Sequence, residues 1–391
     1  MFGLAIAYLK DRALPTALNV LLLALAVATL LVLLLLSTRV EDRFARDAAG
    51  VDLVVGAKGS PMQLILSSVY HLDAPTGNIP LETLDHMRRD FGVARAIPLA
   101  LGDNFRGYRI VGTQPAFLSL HKATLARGRM FADPMEVVLG AQVARATGAG
   151  IGQRFAGSHG LGDGGGAHDA TPFIVTGILA PTGTVTDRLI LTTIPSIWAA
   201  HGIDADHGPR AEITAILVSY RNAAAAIRLP MAINRETAMQ AASPATETAR
   251  FLSLFDGAIA GARLFAGLIA AAAALSIFTV LLAAGRAREG DLALLRVMGA
   301  SRARIFGTVL LEGVLTAGAG AALGLLLGHL LVELAARQSH TLAGIGLTGL
   351  ALHPAEAGLF AAALLLGAIA ALIPATRVYT QDLATTLSRA Q

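Results

Sequence analysis

The side chains that could act as nucleophiles or general bases lie mainly between residues 51 and 245, and they form no recognisable catalytic set. Lys58, Ser60 and Ser67 are close in sequence, as in some serine hydrolases. No Gly-x-Ser-x-Gly turn accompanies them, and no His and Asp stand in the arrangement that activates a serine hydroxyl. We therefore expect no catalytic residues, which disfavours a membrane-anchored sensor or hydrolase with an external catalytic domain.

Four side chains of types that bind metals lie in a glycine-rich loop at 156–172, namely His159, Asp163, His168 and Asp169. Their spacing matches no strict ligand pattern, so a solvated loop is the preferred interpretation. No Gly-Lys-Ser or Gly-Lys-Thr follows the glycines, so this loop is not a phosphate cradle. The chain contains no cysteine, which excludes disulfides and thiolate metal sites. We expect the chain to bind no metal and no cofactor.

Arginines are concentrated in one short stretch between two apolar ones, GRAREGDLALLRVMGASRARI at 285–305. Short arginine-rich loops mark the cytoplasmic side of a membrane protein. The formal net charge of +4 could instead suggest nucleic-acid binding, but the basic residues form no patch interleaved with aromatic side chains. Membrane topology is therefore the better explanation, and we expect no nucleic-acid partner.

The elements that hold these residues are predicted to be membrane helices. Hydrophobic residues make up 54% of the 391 residues and charged residues only 15%, a composition that would aggregate in water. Apolar stretches long enough to cross a bilayer predict four transmembrane helices, at 17–37, 256–284, 305–335 and 356–376.

The remaining segments follow from the arginine-rich loop at 285–304, which is assigned to the cytoplasm. Residues 1–16 then form a cytoplasmic interfacial helix and residues 377–391 a cytoplasmic tail, so both termini are cytoplasmic. Residues 38–255 and the short loop at 336–355 face outward. The predicted fold class is a membrane protein with four transmembrane α-helices and a large α+β domain inserted between the first and second spans.

The outward domain shows β-branched runs separated by turn residues. Strands are predicted at 51–57, 108–113, 136–140, 172–179, 189–194 and 213–220. Helices are predicted at 80–91, at 140–148 with Gly148 at the C-terminal end, and at 223–240 with an interruption at Pro230.

An apolar run just beyond the first span, from Met62 to Tyr70, predicts a short amphipathic helix. Two interpretations stay open for it: contact with substrate or the membrane surface, and packing within the domain. The residues concerned are Met62, Leu64, Ile65, Leu66 and Tyr70.

Ionisable residues inside the third span, Glu312 and His329, are candidates for a functional role, because such groups are costly in a membrane. Gly320, Gly324 and Gly328 recur at every fourth position of the same span. Small residues at that spacing allow close helix packing, which is the role that we predict for them.

The segment REGDLALLRVMGASRARIFGTVLLEG at 288–313 resembles the signature that follows the second span in FtsX/MacB-like ABC transporter permeases, a family that includes the lipoprotein-releasing permeases. The order of one span, an outward domain and three spans is similar to that family's layout. The end of the chain is a looser match to the family's closing motif: Leu383 stands where proline is usual, and the matching residues are Pro374, Ala375, Asp382 and Leu387.

The resemblance implies that the outward domain is periplasmic and that residues 285–304 contain a coupling helix that contacts an ATPase. The implied contact residues are Glu289, Leu292, Leu294, Leu295, Arg296, Met298, Gly299 and Ala300. Leu292, Leu295 and Met298 are also predicted to share one face of an amphipathic helix that Gly299 ends.

No Walker A motif occurs, so the ATP and Mg²⁺ of the cycle are expected on a separate ABC ATPase dimer. This departs from MacB, whose ATPase is fused at the N-terminus. The resemblance further implies a second permease copy or a paralogue, contact with membrane lipid and a location in the bacterial inner membrane; a periplasmic binding protein or lipoprotein is a further candidate partner.

The resemblance implies one of two functions. In the first, the chain is a permease subunit that uses ATP hydrolysis by the partner to extract or expel a substrate at the periplasmic face by mechanotransmission. In the alternative, it is a non-transporting FtsX-type regulator that relays the state of the ATPase to a periplasmic protein.

Overall fold

The computed structural model describes residues 1–159, 172–202, 211–338 and 347–380. Asp163, His168 and Asp169 of the glycine-rich loop lie outside this range. The chain divides into two compact units: a membrane unit, Met1–Val40 with Asp256–Gln391, and a sheet unit, Glu41–Phe255.

The helices described are, in chain order, α1 (Phe2–Asp11), α2 (Ala13–Asp47), α3 (Pro61–Ser68), α4 (Glu82–Arg89), α5 (Pro115–Leu120), α6 (Ala141–Thr147), α7 (Ile194–Ala200), α8 (Ala223–Glu236), α9 (Pro244–Ala287), α10 (Glu289–Val297), α11 (Arg302–Gln338) and α12 (Ala355–Thr380). Of these, α2, α9, α11 and α12 are long and apolar enough to cross a membrane. The four predicted spans fall inside these four helices.

The strands described are β1 (Leu53–Ala57), β2 (Ile79–Pro80), β3 (Val93–Phe105), β4 (Tyr108–Gly112), β5 (Leu125–Gly128), β6 (Glu136–Leu139), β7 (Arg154–Phe155), β8 (Ser158–His159), β9 (Phe173–Leu179), β10 (Ile190–Thr192), β11 (Glu212–Ile213), β12 (Ala215–Tyr220) and β13 (Met239–Ala242). The main sheet has the order β13-β1-β12-β3-β4-β10-β6-β9-β5. It is mixed, because β10 runs parallel to β4 and β6 runs parallel to β9, whereas β1, β12, β3 and β4 pair antiparallel.

Both faces of this sheet are buried, which explains its continuous apolar strands. Successive side chains of a strand point to opposite faces. Leu53 and Val55 of β1 belong to one apolar core, and Val54 between them belongs to the other. In β12, Ile216 and Val218 belong to the first core, and Leu217 between them belongs to the second. The sheet is thus the central layer between two cores.

Small residues bring the helices of the membrane unit together. A Cβ built at Gly324 would lie 2.7 Å from the carbonyl oxygen of Ala24 in α2, and Gly320 and Gly328 of α11 approach α2 in the same way. The predicted packing role of these three glycines is therefore confirmed. Gly313 of α11 faces α12, where a Cβ would lie 2.8 Å from the carbonyl oxygen of Gly367.

One prediction about the sheet unit is wrong, and one strand was missed. The helix expected to be interrupted at Pro230 runs through it and ends at Glu236, before β13 begins at Met239. Pro230 cannot bond the carbonyl of Ala226. Ala226 is exposed, so water can satisfy that carbonyl without breaking the helix. Strand β3 was not predicted, because its central residues are buried without alternation and include Pro98.

Candidate functional site

The coupling segment, residues 285–304, contains the short helix α10, whose ends are set by its sequence. Arg288 is the N-cap residue, and Glu289 and Asp291 place negative charge in the first turn, where the helix dipole favours it. At the other end Gly299 adopts a φ of +96°, and the Ala300 N–H donates to the Leu295 carbonyl oxygen at 2.9 Å. A glycine in this left-handed conformation closes a helix at low cost.

The two faces of α10 differ in burial. Leu292 is 7% exposed and packs in a small apolar core with residues of α11 and α12, namely Ile305, Val309, Ala375 and Val378. Leu295 is partly buried against the same core. Leu294, Val297 and Met298 point away from it and are 57%, 66% and 72% exposed. The coupling segment therefore has an attached face and an apolar free face.

The prediction that Met298 shares a face with Leu292 and Leu295 is wrong. Met298 is the C-cap residue and its N–H still donates to the Leu294 carbonyl oxygen at 3.0 Å, but two steps of three residues fall about 120° short of two full turns, so Met298 lies on another side of the helix from Leu292. The other residues assigned to ATPase contact by the resemblance are placed beside it: Gly299 is exposed, and Glu289, Arg296 and Ala300 are half-buried. Val297 was not predicted; its position one turn from Leu294 could have indicated it.

The intramembrane candidates Glu312 and His329 both have partners. Glu312 is 4% exposed, with a carboxylate oxygen 3.8 Å from Nη1 of Arg288. His329 Nε2 lies 3.0 Å from a carboxylate oxygen of Glu356, whose other oxygen accepts a hydrogen bond from the His353 N–H. The pair at His329 joins α11 to the start of α12.

In the sheet unit, the last turns of α2 and the first turns of α9 meet at one aromatic side chain. The Tyr70 hydroxyl lies 2.6 Å from the Thr248 hydroxyl of α9. The Tyr70 ring packs edge-on against Phe44 of α2 at 4.4 Å between centroids, and Phe44 contacts Phe251 of α9. We call Phe44, Tyr70, Thr248 and Phe251 the helix-end cluster.

Tyr70 follows α3, the predicted amphipathic helix. Ser60 caps this helix by accepting a hydrogen bond from the Gln63 N–H, with Pro61 at its first position. Leu64, Ile65 and Tyr70 are each no more than 2% exposed and belong to the core of the sheet unit. Packing, one of the two interpretations left open, accounts for these three. Met62 and Leu66 are half-buried, and their contact with substrate or membrane stays a prediction.

A buried ion triad, formed by Arg43, Asp47 and Arg188, fixes the same end of α2. Oδ2 of Asp47 lies 2.9 Å from Nε of Arg43 and 3.5 Å from Nη2 of Arg188. Arg43 also donates to the carbonyl oxygen of Gly183 at 3.0 Å. The spacing of Arg43 and Asp47, four residues apart on α2, could have indicated their pair, but no local pattern marks Arg188, which is distant in sequence.

Two histidines in the sheet unit are held neutral by their surroundings. Burial lowers the pKa of His121 to about 4. Burial, and after it the positive charges of Arg109 and Arg188, place the pKa of His71 well below its usual range. Desolvation disfavours the charged form of an imidazole, and like charges add to that effect.

Comparison with known protein families finds two matches. The family described as MacB-like periplasmic core domain matches residues 16–236, more than half of the chain. The family described as FtsX-like permease C-terminal matches residues 263–383. The second match contains the whole coupling segment and the apolar core of α11 and α12 that it contacts.

Among solved structures, the periplasmic region of MacB from Actinobacillus actinomycetemcomitans is similar, with 12% sequence identity and a TM-score of 0.36; the match covers 53% of this chain and 95% of that one. The extracellular domain of the noncanonic ABC-type transporter YknZ from Gram-positive bacteria is 14% identical with a TM-score of 0.31, covering 48% and 98%. A sequence comparison with curated proteins finds no match.

Proposed function

Because the chain belongs to the FtsX/MacB-like family of ABC transporter permeases, we propose that it transmits the motion of a separate ABC ATPase to its MacB-like periplasmic domain. The chain is a membrane component of an ABC transporter and a multi-pass protein of the bacterial inner membrane. ATP and Mg²⁺ would be bound by the ATPase dimer, and substrate would be extracted or expelled at the periplasmic face.

The observation that supports this proposal is the free face of α10. Leu294, Val297 and Met298 expose apolar area within an arginine-rich segment, which the positive-inside rule assigns to the cytoplasm. Exposed apolar patches with a polar rim mark protein contacts. The opposite face is attached to α11 and α12 through Leu292, so a partner that pushes on α10 would displace both helices.

The helix-end cluster would serve the periplasmic side of this path. The periplasmic domain is proposed to be inserted between α2 and α9, with both termini of the chain in the cytoplasm. Tyr70 contacts the end of α2 through Phe44 and the start of α9 through Thr248. A displacement of either helix end would then reach α3 and the sheet behind it. A second permease copy or a paralogue completes the proposed transporter.

Affinity purification from the native membrane tests the partnership. The wild-type chain is expected to co-purify with an ABC ATPase, whereas Leu294→Asp and Met298→Asp should reduce its recovery by about tenfold, since charging a central contact typically costs more than 1.4 kcal/mol. Leu352→Asp is the matched control, because Leu352 is equally apolar and 81% exposed but lies outside the coupling segment.

Failure of the wild-type chain to recover an ATPase would overturn the proposal. Equal loss of the ATPase with Leu352→Asp would also overturn the assignment of the contact to α10. ATP-dependent release of lipid-anchored protein or lipid from reconstituted vesicles then separates the two functions: release supports transport, and hydrolysis without release identifies the FtsX-type regulator.

A further inference from the structure

Arg288 is the one arginine of the coupling segment that is buried, and its side chain points into the membrane unit. It is 8% exposed, whereas its near neighbour Arg286 is exposed. Its backbone stands between α9 and α10: its N–H donates to the Ala284 carbonyl oxygen at 3.2 Å, and its carbonyl oxygen accepts from the Leu292 N–H at 2.9 Å. Arg288 thus lies at the bend where one helix becomes the next.

The Arg288 guanidinium contacts two further helices. Its central carbon lies 3.8 Å from the centroid of the Tyr8 ring in α1, and Nη2 donates to the Tyr8 carbonyl oxygen at 3.2 Å. Nη2 also lies 3.4 Å from a carboxylate oxygen of Asp11. On the other side, Nη1 is 3.8 Å from Glu312 of α11. One side chain therefore joins α1, α10 and α11.

These contacts differ in strength. The Asp11 side chain is 70% exposed, so its ion pair with Arg288 contributes little. The Glu312 side chain is 6% exposed, and removing one member of a buried pair leaves an uncompensated charge. A guanidinium over an aromatic face adds a further attraction when both groups are shielded from water. Tyr8 and Glu312 are therefore the partners that hold Arg288.

The N-terminal helix α1 lies against the same part of α11. A Cβ built at Gly307 would be 3.1 Å from the Met1 sulfur, and Ala5 is fully buried. The contact of α1 with Arg288 therefore belongs to a larger packed interface between α1 and α11. Without a fixed N-terminal end, α10 could tilt about Leu292 when its free face is pushed, and the bend at Arg288 would absorb the motion.

We propose that Arg288 is a positioning residue that anchors the start of α10 to Tyr8 of α1 and Glu312 of α11, making α1 part of the coupling apparatus. The inference rests on the proposed function, because the motion to be passed on is that of the ATPase. Displacement of α10 then moves α1 and α11 with it.

Hydrogen exchange of the full chain in nanodiscs, without an ATPase, tests the anchor alone. Arg288→Gln should speed exchange of amides 289–297 by about tenfold, as expected for the loss of about 1.4 kcal/mol of local stability. Arg286→Gln, in the same segment but exposed, should leave these amides unchanged. Tyr8→Leu keeps every charge and should reproduce much of the effect, and its combination with Arg288→Gln should be less than additive. Equal exchange rates in Arg286→Gln and Arg288→Gln would overturn the anchoring role of Arg288. Full additivity of the Tyr8→Leu and Arg288→Gln effects would also overturn it.

The transmission role is tested in the complex with the co-purified ATPase. Because the chain has no cysteine, Leu350→Cys creates a single labelling site, beside Gly349, whose N–H donates to Glu333 of α11. With a fluorescent label on this thiol, the chain that carries only Leu350→Cys should show an ATP-dependent fluorescence change. Arg288→Gln should keep its hydrolysis rate within about twofold and lose most of that change, a separation that general misfolding would not produce.

The outcomes distinguish this inference from the proposed function. The positioning role would be overturned if Arg288→Gln lost ATP hydrolysis and the fluorescence change together. It would also be overturned if Arg288→Gln kept a fluorescence change of the wild-type size. If the wild-type chain binds no ATPase or shows no ATP-dependent change, the proposed function falls and the transmission role falls with it. Exchange in the isolated chain still decides in that case whether Arg288 anchors α10.

Discussion

At the scale of single residues, Tyr70 is the clearest link between the two helix ends of the sheet unit. Its hydroxyl bonds Thr248 at 2.6 Å and its ring packs on Phe44. We expect Tyr70→Phe to lower the free energy of unfolding by about 0.5–1.5 kcal/mol, the usual worth of one hydrogen bond, and Tyr70→Ala by about 3–5 kcal/mol through the cavity it leaves.

Thermal unfolding of the purified chain measures both effects, and Thr248→Val provides the matched partner. Because the two hydroxyls are hydrogen-bonded, the Tyr70→Phe and Thr248→Val losses should not add in the double variant. Simple additivity would show that the two hydroxyls do not interact.

The lowered pKa of His121 predicts that acid destabilises the sheet unit. With a folded pKa of about 4 and an unfolded pKa near 6.5, the unfolded chain takes up the proton first as pH falls. Stability is therefore complete above the unfolded pKa and declines as pH falls towards 4, by on the order of 2–3 kcal/mol for this group. His71, whose pKa is also lowered, should act in the same direction.

Hydrogen exchange of peptides from the sheet unit at neutral and acidic pH measures this dependence. His121→Phe fills a similar volume beside Phe117 without a titratable group, so its acid sensitivity should be smaller than that of the wild type. An unchanged acid response in this variant would contradict the assignment to His121.

Single residues also show how far sequence could lead. Leu64 and Tyr70 were recognised as members of an amphipathic segment, but only the fold shows that a core lies on their apolar side. Arg43 and Asp47 are spaced as helix neighbours, but the addition of Arg188 to their pair carries no local signal, because it depends on a chain reversal over more than a hundred residues. Interactions of this kind are set by tertiary structure and not by spacing.

At the scale of secondary-structure elements, the packing of α11 depends on where its glycines face. A methyl group at Gly324 would lie 2.7 Å from the Ala24 carbonyl oxygen, whereas at Gly358 of α12 nothing lies within 4 Å. Gly324→Ala should therefore destabilise the chain by about 1–3 kcal/mol through overpacking. Gly358→Ala should be neutral or stabilise by up to about 1 kcal/mol, because alanine is the better helix former.

Thermal unfolding in one detergent compares the two variants directly, since both add the same methyl group to a membrane helix. Equal stabilities would contradict the close approach of α11 to α2. This element could be predicted from sequence because glycines at every fourth position share one helix face. The course of α8 through Pro230 could not, since it depends on Ala226 lying at the exposed surface of the fold.

At the scale of the whole molecule, the proposed topology places the coupling segment and the sheet unit on opposite sides of the membrane. The absence of cysteine makes every introduced thiol unique. Ser301→Cys should react with a membrane-impermeant maleimide only after the cells are permeabilised, whereas Phe91→Cys, at a residue that is 89% exposed in the sheet unit, should react in intact spheroplasts. Labelling of Ser301→Cys from outside would contradict both the topology and the contact with an ATPase.

The contact between Gly313 and Gly367 also determines how α11 and α12 can move. A Cβ at Gly313 would meet the Ala371 methyl group at 2.5 Å and the Gly367 carbonyl oxygen at 2.8 Å, so neither helix can roll about its own axis without forcing the other away. A torque applied to one helix would thus be delivered to both. Under the proposed function, the two helices would displace lipid as one slab, and each stroke would work against the lateral pressure of the bilayer over that broader surface.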